Sequence, residues 1–209
     1  MGIDTIQSIQ MTKGVCLLLL AAWLLCSAFG QDAPEIIPRI PADRRADTYD
    51  VYSAALARSH DPGIKRYLVQ ELSASCGSPQ ACVKLPARYH AKLNELVRDS
   101  AALTGKQFRL ERRFKVSVGY EFVTADQAKQ VITLMNSPAH STDEVEIFRG
   151  ATDLITLGNV YFDRNRTLAA VYTTESCGGQ CGYGAWRIFT RNGKGGWEER
   201  DWASCVLLE

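Results

Sequence analysis

The chain is short of almost everything that announces a chemistry. It holds no G-x-S-x-G elbow, no H-E-x-x-H pair and no phosphate-binding glycine loop, so the familiar serine hydrolases, zinc proteases and nucleotide binders have no signature here. Histidine is scarce: His60, His90 and His140 are the three in 209 residues, and they are scattered. A surplus of either charge is missing too. Lys and Arg number 24 against 23 Asp and Glu, which gives no support to the basic face expected of a nucleic-acid binder. Repeats and low-complexity tracts are absent, and no apolar run reaches the roughly 20 residues of a spanning helix. No catalytic or ligand motif rises above a structural explanation, and the sequence by itself names no activity.

What is present begins with a compartment. Lys13 precedes an apolar run, and the small residues Ala28 and Gly30 stand ahead of Gln31. This reads as a cleavable secretory signal over residues 1–30, cut after Gly30. Asp4 suits a signal poorly, so translation is expected from Met11. The alternatives are an uncleaved anchor helix or lipid attachment at Cys26, where Leu25 is large for a lipoprotein site. An exported chain is periplasmic or extracellular, free of the membrane once cleaved, and its paired cysteines are expected to be disulfides. Cleavage takes 30 of 209 residues and Cys16 and Cys26 of seven cysteines, leaving 179 residues and five cysteines. Lys13 and Asp4 leave with the signal, so 23 basic side chains face 22 acidic ones.

Pro34, Pro38 and Pro41 make residues 31–46 a Pro-rich spacer, and residues 47–209 are expected to form a single domain. Tyr49, Tyr52 and Leu56 share one helical face, with Asp47 as the cap. Residues 64–74 fit a helix through Ile64, Leu68 and Leu72, or a strand through Tyr67 to Val69. Leu85 to Leu103 is a helix with Pro86 in its first turn. From Phe108 to Phe122 every even position but Arg112 is apolar, the clearest strand pattern in the chain. Thr124 and Gln127 have capping-box spacing before a helix that Ser137-Pro138 ends. Leu154–Phe162, Thr167–Thr174, Gly184–Arg191 and Trp197–Val206 are strands with short connections, hence an antiparallel β-meander. The fold class is α+β, with helices mostly in the N-terminal half and the meander C-terminal.

Five stretches carry a resemblance: Tyr49 to Leu56, Leu157-Gly-Asn-Val-Tyr-Phe162, Leu168-Ala-Ala-Val-Tyr172, Cys177-Gly-Gly-Gln-Cys-Gly-Tyr-Gly184 and Trp202-Ala-Ser204. Together they resemble a loosely defined group of uncharacterised bacterial exported proteins with a Tyr-rich N-terminal helix and a C-terminal C-G-G-x-C-G-x-G hairpin loop. The resemblance covers both ends of the mature chain and little of residues 75–150. It implies a bacterial origin, an α+β body and a strand at Tyr67 to Leu72, and it brings no activity, catalytic residue or cofactor.

The glycines around Cys177 and Cys181 let a hairpin tip fold back far enough for a disulfide, and Gly77 and Pro79 shape a loop that brings Cys76 and Cys82 together. So small a ring adds on the order of 2 kcal/mol at best. A redox pair, a metal clip with Cys76, Cys82 or a histidine, and a cross-sheet bond to Cys205 are the alternatives at Cys177 and Cys181; the spacing fits neither C-x-x-C nor a zinc pattern. No metal and no cofactor are assigned. His90 and Glu95 fall on different faces of their helix, and Asn165-Arg-Thr167, a glycosylation pattern, is more simply a turn. Tyr183, Trp186, Trp197 and Trp202 form the candidate binding surface for a protein, peptide or glycan. The expected function is a non-catalytic binding or interaction module; a thiol-disulfide redox factor using Cys177 and Cys181, or a hydrolase with an unrecognisable site, are the other readings. Peptide mapping of the exported protein, alkylated without reduction, is expected to show a chain starting at Gln31 with Cys177 and Cys181 bridged. Two free thiols there would remove the staple.

Overall fold

The computed structural model describes residues 36–58, 66–136, 151–178, 181–201 and 205–208. The expected signal segment, Ser137-Pro138 and Trp202 fall outside them. The chain divides into Met1–Ile36 and Ile37–Glu209, and every element below belongs to the second unit.

One eight-stranded sheet runs in the order β2-β1-β3-β5-β6-β7, with β4 added on β5 and β8 on β6. Strand β1 (Arg66–Gln70) is parallel to β2 (Gly119–Val123) on one side and to β3 (Ala151–Leu157) on the other. Beyond β3 the sheet is antiparallel through β5 (Leu168–Gly178), β6 (Cys181–Arg191) and β7 (Trp197–Glu199); β4 is Tyr161–Phe162 and β8 is Cys205–Leu208. The fold is mixed α+β. The meander accounts for the antiparallel part alone, and the sheet continues past it into parallel pairing. Parallel neighbours need crossover connections, so α2 (His90–Leu103) and α3 (Ala125–Met135) are interleaved with the early strands, and the helices are not gathered ahead of them.

The ambiguous segment is strand β1, and its ambiguity has a cause. Tyr67 and Val69 join the main core, whereas Leu68 packs with Val123, Ala128, Val131 and Leu154 against α3. A strand buried on both faces loses the alternation that identifies strands in sequence.

The clearest strand pattern, Phe108 to Phe122, is a strand only from Gly119. Its apolar positions do face inward, with Phe108, Leu110 and Phe114 buried. Its backbone, however, makes isolated bonds rather than a ladder: Arg109 N donates to Pro38 O and Leu110 N to Glu71 O, and three other N–H groups go to side chains. Ser73 Oγ accepts from Phe108 N at 2.9 Å, Tyr49 Oη from Glu111 N at 2.6 Å and Ser53 Oγ from Lys115 N at 2.8 Å. Pattern reports the buried face; a ladder also needs a partner strand, and here side-chain hydroxyls take part of that place.

Helix α1 spans Ala42–Arg58 and so starts inside the expected spacer. Pro41 precedes its first residue, Asp43 sits in its first turn, and Ile40 is buried. Asp47 is therefore not the cap. Tyr49, Tyr52 and Leu56 are buried as the 3.6-residue period requires. Helix α2 begins at His90 because Ala87–Tyr89 forms a tighter 3-10 turn after Pro86. At α3 both halves of the Thr124–Gln127 capping box are made.

Cys82 is disulfide-bonded to a residue other than Cys76, so the expected Cys76–Cys82 bridge is not made. Cys76 is held elsewhere: its carbonyl accepts the Tyr161 hydroxyl at 2.9 Å, and its sulfur lies against Gly158. Cys82 instead ends the 3-10 turn Pro79–Ala81. Gly158 is the tightest point of the β3–β4 connection. Its N–H donates to Tyr172 O at 2.7 Å and its carbonyl accepts the Tyr52 hydroxyl at 2.9 Å, and a Cβ there would sit 2.8 Å from Tyr172 O and 3.2 Å from Cys76 Sγ. Gly158→Ala is expected to destabilise the fold by about 1–3 kcal/mol in denaturant titration, as overpacking does.

Candidate functional site

Of the four aromatic residues expected to form a surface, Trp186 and Trp197 are core. Trp186 is 4% exposed, with ring centroids of Tyr161 and Tyr172 at 5.8 and 5.5 Å. Trp197 is 7% exposed, 5.7 Å from Phe162 and 5.2 Å beneath the Arg191 guanidinium. Position along the strand decides this, since residues 184–190 of β6 are buried on both faces and Tyr183 lies nearer the hairpin end. Tyr183 stays accessible and donates across the strands to Glu175 at 2.5 Å. Burial first, and then the Glu175 carboxylate, push its pKa up to about 12.

Cys177 and Cys181 stand at the end of β5 and the start of β6, with Gly178 paired to Cys181 after a register shift. Residues 179–180, both cysteine side chains, and that of Cys205 in β8, fall outside the described residues. His90 and Glu95 do not meet. The His90 ring lies 3.0 Å from Leu85 O, and Glu95 accepts Arg164 N at 2.8 Å. Among the described residues no group of three or more His, Cys, Asp or Glu is spaced to hold a metal ion, and no helix is long and apolar enough to cross a membrane.

The structure assembles a different site. The first turn of α1, the outer side of α2 and the β4–β5 turn enclose a cleft of about 460 Å³. Asp163 builds the turn: its carboxylate accepts Thr167 N at 2.6 Å, Leu168 N at 2.9 Å and the Thr167 hydroxyl at 2.7 Å, with Lys92 at 3.6 Å. Arg166 closes the turn with φ +52°, a left-handed conformation that costs a side-chain-bearing residue roughly 1–2 kcal/mol. Its guanidinium donates to the Asp43 carbonyl and pairs with Asp43 at 3.2 Å and Asp47 at 3.3 Å. Arg44 donates to Asp99 at 3.1 and 2.8 Å and to Val160 O at 2.6 Å. Both guanidiniums lie over the Phe162 ring, at 5.3 and 5.9 Å.

Four arginines and four carboxylates line this cleft, but they are not equally engaged. Arg44 and Arg166 are consumed by the scaffold. Arg98, with a side chain 67% exposed, has Glu95 no nearer than 3.8 Å, and the Arg164 side chain makes no ion pair among the described residues. Those two form a rim of available planar donors suited to oxyanions. The fold raises the pKa of Tyr49, Tyr52, Tyr161 and Tyr183, burial first in each case, so these remain phenols at neutral pH, and none lines the cleft.

Sequence reasoning missed this site because its parts are far apart in the chain. The available signal was the recurrence of acid-arginine neighbours: Asp43-Arg44, Arg98-Asp99 and Asp163 to Arg166. Comparison of the chain with protein-family models, with curated proteins and with solved structures found no match in any of the three. Asp163→Ala strands two backbone N–H groups and is expected to cost about 2–4 kcal/mol in thermal or denaturant unfolding.

Proposed function

We propose that the chain is a non-catalytic binding module of an exported protein, and that an acidic segment of a protein, peptide or glycan docks in the cleft between α1, α2 and the β4–β5 turn. One observation carries the reading: Arg98 and Arg164 present guanidiniums at the mouth of a cleft whose floor is already fixed by the Arg44–Asp99 pair and by Asp163. Fixed floors cut the ordering cost of binding, and accessible guanidiniums give direction to a carboxylate. Export rests on the signal pattern of residues 1–30, and a Cys177–Cys181 staple rests on the spacing of the glycines around the two cysteines. Trp186 and Trp197 take no part as ligand contacts, and Tyr183 stands on a separate strand pair.

Fluorescence anisotropy with labelled hexaglutamate and with a polyglucuronate oligomer tests the reading. Binding is expected to weaken with salt and to fall about tenfold in the Arg98→Ala/Arg164→Ala double variant, whose exposed positions leave the core untouched. Equal binding by the double variant would place the ligand elsewhere.

A further inference from the structure

Glu111 gathers more positive charge than it offsets. Its carboxylate lies 3.2 Å from Arg39, 4.0 Å from Arg45 and 2.8 Å from Arg113, and beside this cluster Lys115 reaches Asp50 at 2.8 Å. Four cations thus share two carboxylates, a surplus of two, whereas the charges lining the α1–α2 cleft balance. Arg45, Arg113, Lys115 and the single carboxylate of Asp50 line a separate cavity of about 450 Å³, with Ala42, Ala46 and Tyr49 as its other walls. That volume is within the range of small-molecule sites, roughly 300–1,000 Å³.

Tyr49 supplies an independent observation. It is 3% exposed, and its ring is fixed by Tyr52 at 6.1 Å and Phe114 at 5.7 Å. Its oxygen accepts the Glu111 N–H at 2.6 Å. That bond occupies a lone pair and leaves the hydroxyl proton to be given away, and among the described residues no acceptor receives it. Buried donors are rarely left unused. The phenol stays protonated, since burial raises its pKa, and the charges of Arg113 and Arg45 act on it directly. Arg45 cannot swing away, because its Nε and Nη2 hold the Ile40 carbonyl at 3.0 and 2.9 Å. An unused hydroxyl proton, a surplus of fixed cations and an alanine wall converge on one space.

We propose that this cavity binds a carboxylate-bearing organic acid, whose oxyanion accepts hydrogen bonds from the Tyr49 hydroxyl and the Arg113 guanidinium while its carbon body lies on Ala42 and Ala46. A planar carboxylate matches one hydroxyl and one planar fork better than a tetrahedral dianion does. The carboxylate is that of a free acid or of a peptide side chain. The inference is independent of the Arg98–Arg164 rim, which none of these residues touches.

Isothermal titration of the full chain with benzoate, with its neutral analogue benzamide, with inorganic phosphate and with an N-acetylated, C-amidated glutamyl tripeptide tests it. Benzoate or the glutamyl peptide is expected to bind and benzamide not to, the tighter of the two acids identifying the source of the carboxylate. Tyr49→Phe and Arg113→Gln are each expected to weaken that binding about tenfold or more, while the Arg98→Ala/Arg164→Ala variant binds as the parent does. Arg113 is 55% exposed in its side chain, so its replacement decides the matter if Tyr49→Phe does not fold. Absence of binding by both acids, equal binding of benzamide, preference for phosphate, or unchanged affinity in Arg113→Gln would each overturn the proposal.

Discussion

Asp99 is where two helices and the sheet are fastened together. Its carboxylate, on α2, receives both terminal nitrogens of Arg44 from α1 and the backbone N–H of Phe162 from β4, while Arg44 also holds Val160 O. Such a pair is favourable only with good geometry and with its remaining donors and acceptors satisfied. Here the fork is bidentate and the third contact is charge-assisted, so the desolvation cost is offset and three elements are set at fixed separations. The floor of the cleft follows from this, because Phe162 can lie under two guanidiniums only if β4 is held at this distance from both helices.

A second economy of the fold is the use of hydroxyls where strands are missing. Residues 108–115 make only isolated bridges, at Arg109 to Arg39 and Leu72, and Tyr49, Ser53 and Ser73 accept three N–H groups that a full ladder would have taken. Tyr49 therefore serves two purposes. Its oxygen secures the backbone at Glu111, and the residue also lines a cavity with Arg45, Asp50, Arg113 and Lys115.

Helix α1 thus divides two charged spaces that differ in kind. On the Asp43–Arg44 side the lining charges balance, and most are committed to holding the β4–β5 turn, including the left-handed Arg166. On the Arg45–Tyr49 side cations exceed carboxylates. Ion pairs that are mutually satisfied make a scaffold, whereas a surplus held in place attracts counter-charge. The two spaces therefore suit different tasks: a rim for an extended acidic segment, and a pocket for a single carboxylate.

Much of the secondary structure was legible in the sequence, because it follows from local rules. The capping box at Thr124, the inward face of α1 at Tyr49, Tyr52 and Leu56, and the hairpin of β5 and β6 follow from spacing, propensity and glycine placement within a dozen residues. The inward positions of residues 108–122 were legible as well, since alternation records burial whether or not a strand forms. What the sequence could not determine is everything that depends on partners distant in the chain. Strand β1 is ambiguous because both its faces are covered, Cys82 finds its disulfide partner beyond the loop it shares with Cys76, and Trp186 and Trp197 are buried by tertiary packing. The cleft and the Tyr49 cavity belong wholly to this second kind. Arg44, Asp99 and Arg166, like Tyr49 and Arg113, are brought together by crossover connections and helix packing, and no local periodicity encodes a meeting between residues more than fifty positions apart.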